Sequence, residues 1–166
     1  PYNPVATLPR AYSRNQLVAA DHWYAAGRAA IALIMVDVGT KLIAAPQVGP
    51  KKPAETVDAM LESWVYAANG APEAWLLDAD PAFHNETIYN MARRFDSKVK
   101  AIAPDAHWAN PAERIIRTFK LIVLKLRKEN PRAKWKHIFL AAAFALNSRI
   151  GQSGFCALQR QYGAYP

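Results

Sequence analysis

Three carboxylates stand out in this 166-residue chain because of where they fall. Asp21 lies inside an apolar run (LVAADHWY), Asp78 closes another (AWLLDAD), and Glu113 opens a basic stretch (NPAERIIRTFK). Chains that cut or join phosphodiesters with water or hydroxyl nucleophiles commonly use two divalent cations about 3.5–4 Å apart. Hard cations take oxygen ligands, so such chemistry needs Asp and Glu converging from separate elements. Each carboxylate also has a plainer explanation. Asp78 could be a turn former at a strand end. Glu113 stands three residues after Asn110, the spacing of a helix capping box. Asp21 is harder to explain away, because an unpaired carboxylate in an apolar strand is costly.

The segment that Glu113 opens is the second feature. Positions three or four apart share a helix face, so Glu113 lies on one face with Arg117, Lys120, Leu124 and Lys128. Arg114, Lys125 and Arg127 stand close by, and Ile115, Phe119, Ile122 and Leu126 form the stripe expected to be buried. Acidic partners for (i, i+4) pairs are absent apart from Glu113 and Glu129. Arg114, Arg117, Lys120, Lys125 and Lys128 are therefore candidate phosphate contacts. The plainer alternative is a solvated helix face. The net charge of +8 is segregated in the same sense. Residues 1–112 carry ten basic and eleven acidic side chains, whereas residues 113–166 carry eleven and two. A positive patch of this kind most often meets phosphate.

Composition sets the frame in which these residues must be held. With 52% apolar and 20% charged residues the chain can build a core, which excludes a disordered or collagen-like polypeptide. A lone cysteine, Cys156, excludes a disulfide scaffold and a Cys-rich zinc site. His22, His84, His107 and His137 show no paired ligand spacing, so they are expected on loops or the surface. Trp23, Trp64, Trp75 and Trp135 fit core positions. No apolar run reaches the roughly 18 residues of a membrane span, and no signal-peptide pattern opens the chain. We therefore expect an intracellular protein with no membrane partner. The start at Pro1 leads us to expect a piece of a longer polypeptide.

The element order follows from pattern. Residues 1–15 carry three prolines and no periodicity, and are expected to form an extended lead-in. Three strands in quick succession, Gln16–Tyr24, Ala29–Val38 and Lys41–Val48, predict an antiparallel meander. Val57, Met60, Leu61, Trp64, Val65 and Ala68 then recur at helical spacing, with Asn69-Gly70 as the stop. Ala74–Leu77 and Lys98–Ala103 read as strands flanking a helix over Asn85–Phe95. Asn110 and Pro111 suit the cap and first turn of a long helix that ends at Asn130-Pro131. A helix led by Trp135 and a short one over Phe155–Tyr162, stopped by Gly163, complete the chain. The expected architecture is α/β over residues 16–166, a mixed five-stranded sheet flanked by helices, with three antiparallel strands and a parallel extension.

Taken together, these segments resemble the catalytic core of retroviral and retrotransposon integrases, within the DDE transposases of ribonuclease H-like fold. Four stretches carry the likeness. Asp21 is followed sixteen residues later by Asp37, which ends the second strand and leads into a turn (MVDVGTK). WLLDADPAFHN looks like the family's Asp-x-Gly-x-x-Phe segment. AHWANPAERIIRTFK is similar to its Asn-Gly-x-x-Glu-Arg helix start, 35 positions beyond Asp78. The last is WKHIFLAAAFALNSRIGQSGFCALQRQYGAYP, a Trp-led helix ending in Asn before a loop. The resemblance implies that Asp21, Asp78 and Glu113 are the catalytic, metal-binding carboxylates for two Mg²⁺ or Mn²⁺ ions. Asp37 would not be a ligand; it suits a turn before Gly39. The resemblance also implies DNA contact at Arg117 and Lys120, end processing and strand transfer on DNA, and homo-oligomers. Nuclear localisation follows if the source is a eukaryotic retroelement. Two positions depart from the family pattern: Asp80 and Pro111 both stand where Gly is usual. The rival reading is a nucleic-acid-binding or assembly module that keeps the fold without catalysis. A ribonuclease H-type nuclease would usually want a fourth carboxylate.

Overall fold

The strand β1, Leu17–Ala25, forms the middle of the sheet, and its alternation sets the layers. Leu17, Ala19 and Trp23 face one side, and Val18 and Ala20 face the other. A computed structural model describes residues 12–49, 52–78, 80–102, 112–151 and 154–163. In it β2, Ala30–Asp37, runs antiparallel to β1 with Ala25 opposite Ala30 and Asp21 opposite Ile34. The four-residue connection takes left-handed backbone at Ala26, Gly27 and Arg28, and only Gly27 does so without a Cβ cost.

The third strand expected over Lys41–Val48 is divided in two. β3, Ile43–Ala44, pairs with Met35 and Val36, while β4, Gln47–Val48, pairs with Ile31 and Ala32. Pro46 stands between them, and a proline has no N–H for a ladder. Its carbonyl still accepts from the Leu33 N–H at 3.0 Å. On the other side of β1, β5 (Ala74–Leu77) and β6 (Lys98–Ala101) add in parallel. The order is β3-β2-β1-β5-β6, with β4 also on β2. This is the expected mixed sheet of three antiparallel strands and a parallel extension, with the third strand interrupted.

Helices cover both faces. On one lie α1 (Pro53–Met60), continued by wider π-type turns over Leu61–Asn69, and α2 (Glu86–Arg94). Their Met60, Trp64, Ile88 and Met91 bury against Val18, Leu33, Met35 and Trp75. Gly70, at φ 72°, ends the π-type turns by donating to the Val65 carbonyl. On the opposite face lie α3 (Glu113–Glu129) and α4 (Trp135–Ser148). Ile116, Phe119, Val123, Phe139 and Ala142 pack there over Ala19, Ile34 and Val36. The fully buried line of α3 is thus Ile116, Phe119 and Val123, whereas Ile115, Ile122 and Leu126 are only half-buried at its flank. The apolar stripe is centred to one side of the one expected, because it includes Ile116 and Val123. Asn110 and Pro111, the expected cap, lie outside the described residues, as does most of the expected lead-in.

Side chains lock the frame where the sheet meets its last helices. Asp37, fully buried, accepts from the N–H groups of Asn15, Gly39 and Thr40 and from the Thr40 hydroxyl, so it holds the turn. A Cβ on Gly39 would come 2.7 Å from the Tyr12 carbonyl oxygen, so the chain needs glycine there. Asn15 donates to the Gly70 and Ala71 carbonyls and accepts from the Trp64 indole. Asn147, at the end of α4, accepts from the Ile43 N–H and donates to the Ile43 carbonyl, both at 2.8 Å. It acts as one residue of an extra strand on the edge of β3. The six-residue α5, Ala157–Tyr162, is capped by Cys156 and Gln159 in a reciprocal box.

Candidate metal and nucleic-acid site

The register of the two central parallel strands builds the first half of the site. Ala20 on β1 is level with Leu77 on β5, so the next residues, Asp21 and Asp78, come level at the end of β5. This is the carboxyl end of a parallel strand, where open α/β sheets usually bind ligands. Glu113 comes from the first turn of α3, on the sheet face that carries Ala19 and Trp23.

Asp21 feels the charges of both other carboxylates. Burial, above all, pushes the Asp21 carboxyl above its ordinary value. Lys120 pulls it down, while the charges of Asp78 and of Glu113 each push it further up; a hydrogen bond from the His22 backbone lowers it. Asp21 retains 26% of its side-chain exposure, Asp78 is half-buried and Glu113 exposed, so the site opens to solvent. Among the described residues no three His, Cys, Asp or Glu side chains are gathered tightly enough to hold an ion as they stand. The donor set is nevertheless all oxygen and all anionic, and it suffers mutual repulsion that a divalent cation would relieve. These residues fit Mg²⁺ or Mn²⁺ in chemistry.

The segment after Asp78 is held by its own side chains. Asp80 Oδ1 accepts from the Ala82 N–H at 2.9 Å, and the Asp80 carbonyl accepts from Phe83. Asp80, which stands where the family usually has Gly, thus holds a turn. His84 Nε2 lies 2.9 Å from the Asp78 carbonyl oxygen and Nδ1 lies 3.1 Å from the Tyr89 hydroxyl. A carbonyl only accepts, so Nε2 donates to Asp78, while Nδ1 meets the Tyr89 hydroxyl. His84 thus ties the main chain of Asp78 to α2. Sequence reasoning missed it; its position six residues after Asp78 is the only available signal. His22 corrects the expectation of loop histidines: it is buried, stacked on Phe83 at 4.4 Å between ring centres, and bonded to Thr56.

The structure divides the cations of α3 into groups. Arg114, Arg117, Lys125 and Lys128 are exposed. Arg117 and Lys128 share the side of Glu113, whereas Arg114 and Lys125 turn about 100° further round the helix. Arg127 is used within the fold, donating to the Ala133 carbonyl at 2.6 Å and lying 4.5 Å from the centre of the Trp135 ring. Lys120 is half-buried, with Nζ 3.9 Å from Asp21 Oδ2 and 6.0 Å from the centre of the Trp23 ring. Lys41 is exposed, and its ammonium donates to the Val38 carbonyl.

No protein-family model and no curated protein matches the chain. Solved structures do. The catalytic core domain of HTLV-2 integrase in complex with magnesium, in its dimeric form, superposes with a TM-score of 0.78 at 18% identity. That match spans 92% of this chain and 100% of the other. The catalytic core domain of BIV integrase gives 0.75 at 15% identity over 90% and 95%. A simian T-cell lymphotropic virus intasome structure gives 0.77 at 17% identity, covering 96% of this chain and 60% of that one. The chain has the fold of a retroviral integrase catalytic core. With this integrase-core fold the expected ribonuclease H-like architecture is established.

Proposed function

We propose that this chain is the catalytic core of a DDE-type polynucleotidyl transferase, which processes DNA 3′ ends and joins them to target DNA. The observation that carries the reading is the integrase-core fold, in which the β1–β5 register brings Asp21 level with Asp78 at the end of β5. Asp21, Asp78 and Glu113 would hold two Mg²⁺ or Mn²⁺ ions as anionic oxygen ligands. Bound there, the ions supply Lewis acidity that activates a water or 3′-hydroxyl and stabilises the leaving 3′-oxygen. The chain itself contributes position and charge. His84 fixes the main chain that carries Asp78. Arg117 and Lys128, on the Glu113 side of α3, attract and align the phosphate backbone, with Arg114 and Lys125 extending the positive surface. No nucleophilic side chain is needed.

The magnesium complex, the dimeric and trimeric core forms and the intasome among the structural neighbours support divalent metal, homo-oligomers and DNA as partners. Leu140 and Phe144, exposed one turn apart on α4, offer an apolar face for such pairing. Nuclear action follows if the source is a eukaryotic retroelement. The rival, a nucleic-acid-binding module without catalysis, is favoured by the open arrangement of the carboxylates and by the Lys120–Asp21 pair. A strand-transfer assay on short duplexes with Mg²⁺ or Mn²⁺, using the full-length protein, tests the proposal. Joined products that vanish in Asp78→Asn support it; DNA binding without any metal-dependent product selects the rival.

A further inference from the structure

Lys120 differs from the other cations of α3 in being seated. Its ammonium lies 3.9 Å from Asp21 and 6.0 Å from the centre of the Trp23 ring, and its side chain keeps 33% of its exposure. Both neighbours come from β1, two residues apart on one face. Lys120 is also seven residues, or two turns, beyond Glu113, so the helix that delivers the third carboxylate delivers this cation too. An aspartate, an aromatic ring and an ammonium from a facing helix form a built seat for one positive charge.

We propose that Lys120 is an internal counter-ion that competes with a divalent cation for Asp21, and that metal binding releases it to grip DNA. The inference rests on the proposed function, in which Asp21 is a metal ligand. An ion entering at Asp21 brings two positive charges within several ångströms of the ammonium, so the two compete for the carboxylate. The displaced side chain is long enough to swing toward solvent, on the side of Arg117 and Lys128. Metal loading and phosphate contact are thereby coupled through one lysine, with no movement of the sheet.

Mn²⁺ titration by calorimetry without DNA tests this in the wild type, Lys120→Met and Asp78→Asn. Lys120→Met keeps the aliphatic stem and loses the charge; Lys120→Gln serves if the first variant does not fold. Removing one charge several ångströms from a divalent ion should tighten Mn²⁺ binding about tenfold. A second readout is DNA affinity against salt, with Ca²⁺ and with chelator. Calcium should steepen the wild-type slope of log affinity against log salt by about 0.9 more than that of Lys120→Met. Unchanged or weaker Mn²⁺ binding in the lysine variants, with Asp78→Asn still weakened, overturns the counter-ion role alone. If neither the wild type nor the lysine variants take up Mn²⁺ at a site sensitive to Asp78→Asn, the cation site fails, and this proposal with it.

Discussion

Replacing Asn147 should cost more stability than its small side chain suggests. It is 9% exposed and bonds both main-chain groups of Ile43, itself 2% exposed, at 2.8 Å each. β3 is only two residues long and has β2 on one side. Asn147→Leu fills the volume yet leaves a buried N–H and a buried C=O without that partner. At roughly 1–3 kcal/mol for each unsatisfied group, less what relaxation recovers, the loss should be about 3 kcal/mol. For a domain of this size that lowers Tm by about 6–12 °C. Asn147→Asp separates the two bonds. The carboxylate still accepts from the Ile43 N–H, but its second oxygen faces the Ile43 carbonyl oxygen. Protonation restores the donor, so the folded-state pKa is raised and the variant regains stability as pH falls through it. Urea unfolding at pH 7 and pH 4.5 reads both effects, with an unchanged slope excluding a change in compactness. A loss below about 1 kcal/mol in Asn147→Leu would refute the reasoning, since water or main-chain adjustment would then satisfy Ile43.

Two further predictions concern the site. Because burial and the like charges of Asp78 and Glu113 raise the folded pKa of Asp21, its ionisation opposes folding. The wild type should therefore lose stability as pH rises from the ordinary aspartate value of 3.8 to the raised one and then level off. Asp21→Asn should abolish that loss and be the more stable protein at pH 7 in chelator, measured by urea midpoints; a less stable variant contradicts the repulsion. Arg117→Glu with Lys128→Glu should weaken DNA binding at every sequence and flatten the slope against log salt by at least about 1.8, or 0.9 per contact. Fluorescence anisotropy reads it, and an unchanged slope would mean that this face is merely solvated.

Much of the frame was legible because its signals are local. Short, mostly apolar runs located β1 and β2, and the switch between such runs and helical spacing revealed the parallel extension. Pro46 was visible in the third strand, yet only the pairing of β3 and β4 with different parts of β2 shows that the strand divides there. The stripe of α3 was misjudged because Ile115, Ile116, Ile122 and Val123 are all apolar, and only packing on Ala19 and Ile34 decides which face inward. The three carboxylates stand out by residue type and position, and the family resemblance joins them into a set. Their coupling depends on the β1–β5 register and on α3 crossing that face, which no local pattern encodes. The same holds for Lys120, which reads as one more exposed cation until Asp21 and Trp23 are placed beneath it. His22 escaped for a related reason: a polar residue is assigned to the surface unless its partner, here Thr56, is known.

The central claim is that Asp21, Asp78 and Glu113 constitute a divalent-cation site. Its most direct test is diffraction from Mn²⁺-soaked crystals at the manganese edge. An anomalous peak bonded by carboxylate oxygens of Asp21 and Asp78 at about 2.1–2.3 Å is the expected result, with a second peak approached by Glu113 when DNA is present. Well-ordered crystals at millimolar Mn²⁺ with no peak between these carboxylates, and Lys120 still on Asp21, would contradict it.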